Sequence, residues 1–313
     1  MRHATLTVAL LLASACDGQP RPRTAFDGEA ALAHVRTQVA FGPRVPGTAG
    51  HRRTGDWIVA QMRQRADTVI EQRWTHVTLR GDSLPMRNIL ARIRPELADR
   101  VLYVAHWDTR PTADYDLDPA KRATPIDGAN DGASGVAVLM GVAEALRRTP
   151  PTVGVDLLFV DGEDYGEFGD LSTHRDVLIG ASYFAEHPPV AGYQPIFGVV
   201  WDMVGDADPQ FKQETQSVQG APEVVQRVWR TAQELGYGDV FVEQSAGMID
   251  DDHVPLLRTG MRVIDVIDLQ YGATGTLGAT ASYHHTTLDT VDKVCARTLQ
   301  IVGDVAVALV TGS

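Results

Sequence analysis

Four short apolar runs dominate the hydrophobic pattern of the chain. They are rich in Val, Ile and Leu and bounded by Gly, Pro or polar residues: VLYVA (101–105), VDLLFV (155–160), IFGVVW (196–201) and RVIDVI (262–267). Within each run the apolar residues are continuous rather than alternating, which is typical of strands buried on both faces. The pattern predicts a mostly parallel β-sheet.

Segments with helical periodicity surround these runs. They cover residues 52–65, 134–148 and 221–236. The third segment places its apolar residues close to one helical face, and these residues are Val224, Val225, Val228, Trp229, Ala232 and Leu235. Helices that alternate with buried strands predict an α/β fold in which helices flank the sheet.

Length and charge limit the domain organisation and the class of partner. The chain has 313 residues and a 44% apolar composition, which suits one large domain or two small ones. The formal net charge is -12, and no run of Lys and Arg is present. This argues against a nucleic-acid partner, because phosphate binding needs a basic surface.

The N-terminal segment MRHATLTVALLLASAC has the features of an export signal. Arg2 precedes an apolar stretch that ends in small residues and Cys16, and the stretch is too short for a membrane-spanning helix. LASAC resembles the cleavage box of bacterial lipoproteins, but Ala13 stands where Leu, Val or Ile is commonest. A lipid anchor on Cys16 and plain secretion therefore both stay open.

This signal sets our expectations for the exported protein. We expect a periplasmic, membrane-anchored or secreted protein, with residues 17–29 as a linker before a domain at 30–313. Cys295 is the only other cysteine, so we expect no internal disulfide. We also expect a monomer.

Polar clusters follow three of the predicted strands. His106 and Asp108 follow the first strand, residues 161–164 (DGED) follow the second, and Asp202 follows the third. In open α/β sheets, ligands bind outside the carboxyl ends of the strands, so these clusters should meet in one crevice. The loop before the last predicted helix adds the histidine pair at 284–285.

Asp131, in the stretch PIDGANDGASGV (125–136), has two interpretations. It could cap the following helix, because Asn and Asp are preferred there, or it could bind a metal together with the polar clusters. The side chains that offer nitrogen and oxygen donors for zinc are His106, Asp131, Asp164, Asp202 and His285. They would suffice for one metal ion, or for two that share a carboxylate. Asp108 is placed to orient His106, and Glu163 is the expected general base.

The motifs resemble, in order, those of the zinc aminopeptidase superfamily and its glutaminyl-peptide cyclotransferase branch. They are FGPRVPGTAG (41–50), RNIL (87–90), HWD, GANDGASG, DGED, WDMVG, GASYFA and HHTTLDTVDKV, and together they cover nearly all of residues 30–300. The resemblance implies a single domain with a central mixed sheet. It also implies that the Asp of GANDGASG is a metal ligand.

The resemblance also implies functions for individual residues. The ligands of the metal that both branches share match Asp131, Asp164 and His285. His106 and Asp202 match ligands of the second metal in the peptidases, and Asp202 also matches an active-site acid of the cyclases. Glu163 matches the base. One zinc ion is therefore expected, and two are possible.

Two positions depart from the pattern of the family. Asp164 is one methylene shorter than the usual Glu, so the metal must lie closer to its backbone or be bound less tightly. His284 replaces the tryptophan that cyclases usually carry before the ligand histidine. This substitution changes the expected wall for a glutamine side chain.

Two reactions on peptide or protein N-termini are compatible with this set of residues. A glutaminyl cyclase converts N-terminal glutamine to pyroglutamate with release of ammonia, whereas an aminopeptidase hydrolyses the first peptide bond. The segment IDDDHVPLLR (249–258) resembles the cyclase segment in which the first Asp of a pair is an active-site acid, here Asp251. We therefore favour the cyclase and keep the aminopeptidase as the alternative.

In the cyclase, Asp251 and Asp202 are the acids expected to stabilise the bent substrate away from the metal. We expect them to share a proton or a hydrogen bond, since two close carboxylates rarely both stay ionised. A binding module that has lost activity is disfavoured, because the base and the ligands are all present.

Other conspicuous side chains have structural interpretations. We expect surface or loop positions for four histidines, His51, His174, His187 and His253. We expect Trp107 to pack beside the site and Trp57 and Trp229 to lie between helix and sheet. The aromatic residues that could line a substrate pocket are Tyr165, Phe168 and Tyr271. Residues 115–125 should form a surface loop near its mouth.

Overall fold

The computed structural model describes residues 23–168, 176–269, 271–272 and 282–312. Within these ranges one mixed sheet of six strands forms the centre of the molecule. Its strands are β1 (Thr68–Val77), β2 (Ser83–Ile93), β3 (Arg100–His106), β4 (Gly154–Val160), β5 (Phe197–Asp202) and β8 (Val263–Ile267). A separate parallel pair consists of β6 (Phe211–Glu214) and β7 (Phe241–Gly247). The expected α/β fold with a central mixed sheet is confirmed.

The central sheet has the strand order β1-β2-β4-β3-β5-β8. The four strands predicted from continuous apolar runs, β4, β3, β5 and β8, are parallel neighbours. The strands β1 and β2 form an antiparallel hairpin that continues the sheet beside β4. The carboxyl ends of the four parallel strands therefore lie along the same edge.

Helices cover the sheet. Their bounds are α1 (Gly28–Ala40), α2 (Ala49–Met62), α3 (Ala133–Arg148), α4 (Ile179–Glu186), α5 (Thr215–Gly220), α6 (Pro222–Glu234), α7 (His253–Arg258) and α8 (Ala296–Thr311). The segments predicted at 52–65, 134–148 and 221–236 correspond to α2, α3 and α6. No helix within the described ranges is both long enough and apolar enough to cross a membrane.

Burial on both faces explains the continuous apolar runs. In β3, Tyr103 and Ala105 belong to the large core cluster that contains α1, α3 and α8, whereas Leu102 and Val104 belong to the cluster on the opposite face with Phe184 of α4. Successive side chains of a strand point to opposite faces, so a strand covered on both sides needs apolar residues at every position. The hairpin strand β1 instead lies at the sheet edge and is only partly buried. Its mixture of charged and apolar residues explains why it has no continuous apolar run.

The chain before α1 is packed against the last helix. The backbone N–H groups of Arg23 and Thr24 donate to the Asp304 carboxylate at 3.1 and 3.0 Å, and Phe26 is buried in the core. Asp27 caps α1 by accepting from the N–H of Ala30 at 3.0 Å. Residues 23–29 of the predicted linker are thus held to the domain. The predicted signal segment and Cys16 lie outside the described residues.

Two of the four histidines predicted at the surface are buried instead. The His51 ring lies 2.8 Å from Asp161 and stacks on Trp107, with 4.3 Å between ring centroids. His253 begins α7 and lies 3.1 Å from the carboxylate of Glu214. The surface predictions for His51 and His253 were wrong because a histidine that is paired with an acid can be buried. The two acids, Asp161 and Glu214, are distant in sequence, so the pairs were not visible there. His187 is exposed, and His174 lies outside the described residues.

Candidate active site

The side chains predicted for catalysis or metal binding lie at the carboxyl edge of the parallel strands. They are His106, Asp131, Glu163, Asp164, Asp202, Asp251 and His285, and none is more than 6% exposed. His106 ends β3, Asp202 ends β5, and Glu163 and Asp164 follow β4 directly. The remaining three come from the loops that precede α3, α7 and α8. Strand order therefore brings together residues that are more than a hundred positions apart.

Asp131 lies between the two histidines. One of its carboxylate oxygens is 3.0 Å from His106 Nε2, and the other is 3.7 Å from His285 Nε2. His106 Nε2 is also 3.1 Å from Asp202 Oδ1. The helix α3 has Gly132 at its N-cap and no side-chain capping bond, so Asp131 does not cap the helix. Its side chain is directed at the donor set.

Asp164 has one engaged and one free oxygen. Its Oδ1 accepts from Arg110 Nη1 at 2.7 Å and lies 3.3 Å from His285 Nε2. Its Oδ2 is buried without a hydrogen-bond partner among the described residues. Arg110 also donates from Nε and Nη2 to the Asp114 carboxylate at 2.6 and 2.9 Å. The short acid is thus fixed by a buried guanidinium, which leaves its second oxygen available to a cation.

The loop that carries Asp131 is held by residues that the sequence-based prediction missed. The Asp289 carboxylate accepts from the backbone N–H groups of Asn130 and Asp131 at 2.8 and 3.1 Å. The buried Arg44 guanidinium donates to the carbonyls of Asp127 and Gly128, both at 2.6 Å. Burial raises the pKa of Asp289 to about 7. Asp289 lies within the quoted HHTTLDTVDKV motif and Arg44 within FGPRVPGTAG, so both motifs marked the segments without showing what these two side chains bind.

Asp108 contacts both the His106 ring and the loop after β4. Its Oδ1 lies 3.5 Å from His106 Nδ1, beside the ring that it was expected to orient, but Nδ1 has no hydrogen-bond partner among the described residues. The same carboxylate accepts from the backbone N–H groups of Glu163 and Asp164 at 3.1 and 3.3 Å. It therefore joins the end of β3 to the loop after β4. A change at Asp108 would displace the expected base and a candidate ligand together.

Burial changes the protonation of the acids. It raises the pKa of Glu163 well above its ordinary value, and the charges of Asp164 and Asp251 raise it further, against the opposing charge of His106. Burial likewise raises the pKa of Asp202 to about 7. Glu163, whose Oε2 lies 3.8 Å from His106 Nδ1, therefore holds a proton more readily than an exposed glutamate, as a proton-transferring group requires.

Asp251 is one of three buried carboxyls that influence one another. It lines the same cavity as Asp202, and its charge helps to raise the pKa of Asp202, as expected of two neighbouring acids. Burial raises the pKa of Asp251 and of Asp265 on β8, and the charges of Asp251 and Asp202 raise the pKa of Asp265 further. Two close, buried carboxyls rarely both stay ionised, so this group retains a proton. Asp265 lies inside an apolar strand, and no sequence pattern marks it as a partner.

A cavity of about 310 Å³ lies at this edge of the sheet. The predicted site residues that line it are Asp131, Glu163, Asp202, Asp251 and His285, and His284 lines it as well, whereas His106 and Asp164 are not among its lining residues. Phe168 lines it as expected, and exposed apolar side chains at its mouth are Tyr115, Met248 and Leu269. Tyr165 instead lines a neighbouring cavity beside Arg110, and Tyr271 is buried in a small cluster with Met203. The stretch 115–125 is mostly exposed, with Tyr115 at the cavity mouth.

The donor set fits a divalent metal ion. Asp131, His284 and His285 form one group whose donor atoms all lie within 4.8 Å of one another, and His106, Asp131 and Asp202 form a second. Zinc bonds nitrogen and oxygen at about 2.0–2.2 Å, so one ion can contact donors at such separations. Asp164 belongs to neither group, but its buried Oδ2 has no partner among the described residues and is available to a cation, because buried polar atoms rarely stay unsatisfied. Burial and the charge of His285 lower the pKa of His284 to about 3, which keeps this ring neutral.

Comparisons with known proteins agree with this geometry. The model of peptidase family M28 matches residues 88–310. The glutaminyl cyclase of Porphyromonas gingivalis is 39% identical, with a TM-score of 0.85 over 91% of this chain and 98% of that chain. A Zn-dependent exopeptidase from Parabacteroides distasonis ATCC 8503 is 36% identical, with a TM-score of 0.86 over 92% of this chain and 99% of that chain.

A curated relative covers less of the chain. The alkaline phosphatase isozyme conversion protein of Escherichia coli strain K12 is 27% identical over 183 residues, which are 54% of this chain and 51% of that protein. The chain thus spans about half the length of this relative. The family and the Zn-dependent neighbour support zinc as the metal of the site. The resemblance seen in the motifs is confirmed, and the chain belongs to peptidase family M28.

Proposed function

We propose that the protein is a zinc-dependent glutaminyl-peptide cyclotransferase. The observation that carries the proposal is the set of proton-holding acids, Glu163, Asp202 and Asp251, that line one cavity beside the candidate metal ligands. Cyclisation requires a proton to move within the substrate, from the attacking amine to the departing ammonia. Carboxyls whose pKa is raised by burial suit that transfer, because they can hold the proton between the two steps.

The reaction forms a bond between the α-nitrogen of an N-terminal glutamine and its own side-chain carbonyl carbon, and it expels ammonia. Bound zinc would act as a Lewis acid that polarises the side-chain carbonyl. Glu163 would accept a proton from the α-amine and deliver it to the leaving nitrogen. Asp202 and Asp251 would hold the folded-back amine and amide in place, so that positioning supplies much of the rate.

The dimensions of the cavity support a substrate of this kind. About 310 Å³ suffices for one terminal residue, while the exposed Tyr115, Met248 and Leu269 at the mouth can contact the residues that follow. Peptide and protein N-termini are therefore the proposed substrates. For the metal we propose one zinc ion, with Asp131, Asp164 and His285 as ligands.

One observation favours the alternative, a metallo-aminopeptidase. His106, Asp131 and Asp202 have donor atoms close enough for a second metal ion, as the hydrolytic reaction would use. In that case Glu163 would take a proton from the attacking water, and Asp251 would not take part in the chemical step. The metal count and the reaction product separate the two functions.

The decisive experiment offers a glutaminyl peptide and a leucyl peptide to the purified protein and follows both by mass spectrometry. We expect the glutaminyl peptide to lose the mass of ammonia with unchanged length, and the leucyl peptide to stay intact. Release of free leucine at a rate comparable with cyclisation, or without any pyroglutamate formation, would establish the aminopeptidase instead.

We also propose that the protein is exported and acts as a monomer. The support for export is the signal-like sequence before Cys16, which also permits a lipid anchor. Fractionation of cells that express the wild type and Cys16→Ser tests this. Membrane association that Cys16→Ser abolishes would establish the anchor, and wild type found wholly in the soluble periplasm or medium would exclude it.

A further inference from the structure

His284 lies beside the proposed ligand His285 and faces the same carboxylate. Its Nε2 is 3.9 Å from Asp131 Oδ2, and His285 Nε2 is 3.7 Å from that same oxygen. We propose that His284 is a fourth protein ligand of the metal that Asp131, Asp164 and His285 hold. The inference rests on the metal-dependent function proposed above, and it concerns a position at which this chain departs from the cyclase pattern.

The distances agree with joint coordination. Donor atoms of Asp131, His284 and His285 all lie within 4.8 Å of one another. Two ligands at about 2.1 Å from one zinc ion are separated by roughly 3 to 4 Å, depending on the angle between them. The two separations from Asp131 fall in this range. One ion can therefore bind both imidazoles without a rearrangement of the backbone.

The backbone makes the two rings converge. Adjacent residues in extended chain point to opposite sides, which would direct only one of two consecutive histidines into the site. His285 instead has a φ of 51°, in the left-handed region that residues other than glycine seldom adopt. The two ring centroids are only 3.8 Å apart. A backbone conformation of this kind at a site is a reason to look for a function that needs both side chains.

The contacts of Asp164 explain why the metal would need a further ligand. Arg110 binds its Oδ1 at 2.7 Å, so the carboxylate offers only Oδ2 freely. This side chain is also one methylene shorter than the glutamate usual at the position. A metal held by Asp131, Asp164 and His285 alone would have a weakened carboxylate ligand. The imidazole of His284 supplies a nitrogen donor of the kind that zinc accepts.

The test measures metal binding rather than turnover. His284→Phe keeps a ring and removes its nitrogen donors, and His284→Trp restores the residue usual in cyclases. The exposed His187 provides the matched control His187→Ala. Zinc affinity is measured by competition with a chelator. Ligand geometry is followed by the visible absorption of cobalt-substituted protein.

We expect both His284 variants to bind zinc about 10- to 100-fold more weakly than wild type, with a changed cobalt spectrum, while His187→Ala keeps both properties. Thermal melting of the metal-free proteins shows which variants fold, and either folded variant answers the question. Wild-type affinity together with an unchanged cobalt spectrum in a folded His284 variant would overturn the proposal and make His284 a wall residue. Absence of zinc binding in the wild type would contradict the proposed function itself, so the two failures are distinguishable.

Discussion

The two sides of Asp131 differ in how tightly their side chains are joined. On the Oδ1 side, His106 Nε2 lies 3.0 Å from Asp131 and 3.1 Å from Asp202, which are hydrogen-bond distances. On the Oδ2 side, the histidine nitrogens are 3.7 and 3.9 Å from the carboxylate, and Asp164 Oδ2 has no partner among the described residues. The side chains on the Oδ1 side are in closer contact than those on the Oδ2 side, where the histidine nitrogens stand further from the carboxylate. This difference supports the single zinc ion proposed above, on the Oδ2 side.

The strongest test of this comparison removes one histidine from each side. His285→Ala should abolish stoichiometric zinc binding and lower turnover by more than about three orders of magnitude, because a ligand is lost. His106→Ala should retain about one zinc ion per chain and lose less activity. Metal analysis after gel filtration, with a steady-state assay, measures both. Equal loss of zinc in the two variants would show that the sides are equivalent.

Glu163 lies beside His106 and should act on protons without holding the metal. Glu163→Gln preserves shape and removes the base, so we expect zinc to be retained and turnover to fall by roughly two to four orders of magnitude. Glu186→Gln, at an exposed glutamate of α4, is the control. Near-normal turnover in Glu163→Gln would exclude Glu163 as the base, and loss of zinc in this variant would make it a ligand.

Asp251 lines the cavity and is not one of the proposed metal ligands. Asp251→Asn removes a proton-holding carboxyl from the cavity and from the pair with Asp265, so cyclisation should slow by about two or more orders of magnitude with zinc still bound. The exposed Asp239 offers the control Asp239→Asn. Unchanged cyclisation in Asp251→Asn would leave the acid without a role in the reaction.

A substitution at Gly132 should have a smaller effect, on stability, and should act only through His106 on the Oδ1 side of Asp131. A Cβ at this position would lie 2.2 Å from His106 Nε2, and the buried ring has no room to move. Gly132→Ala should therefore destabilise the protein by about 1–3 kcal/mol. At Gly238 the nearest atom to an added Cβ is 3.4 Å away, so Gly238→Ala is the matched control. Thermal melts measure both, and equal stability of Gly132→Ala and wild type would mean that the His106 ring is not held in place.

The local sequence predicted those strands correctly whose residues are all buried. The strands β3, β4, β5 and β8 are covered on both faces, and this requires the continuous apolar runs from which they were predicted. The strands β1 and β2 were not predicted. The strand β1 lies at the sheet edge and is only partly buried, so it carries charged side chains. The strand β2 is mostly buried, but Arg87, Asn88 and Arg92 interrupt its apolar residues. The motif order sufficed to place the family, and with it the mixed sheet.

The local sequence did not show which side chains would interact across the fold. His51 and His253 looked like loop histidines until Asp161 and Glu214 were brought against them. Asp251 was expected to act together with Asp202, but Asp265 was not foreseen as a third carboxyl beside them, because β8 lies next to β5 and presents that side chain from within an apolar strand. Arg110 follows the HWD motif closely, but only the packed loops show that it binds Asp164.

The sequence by itself determined the central strands, the position of acids and histidines at their carboxyl ends, and the family to which the chain belongs. These properties depend on residues close together in the chain, on strand burial and on motifs whose order survives in the sequence. Tertiary structure alone decided which oxygen of Asp131 faces which histidine, and which oxygen of Asp164 is left free beside Arg110. Those outcomes depend on strand order and on the paths of separate loops, and distances of a few ångströms between residues far apart in sequence have no local signature.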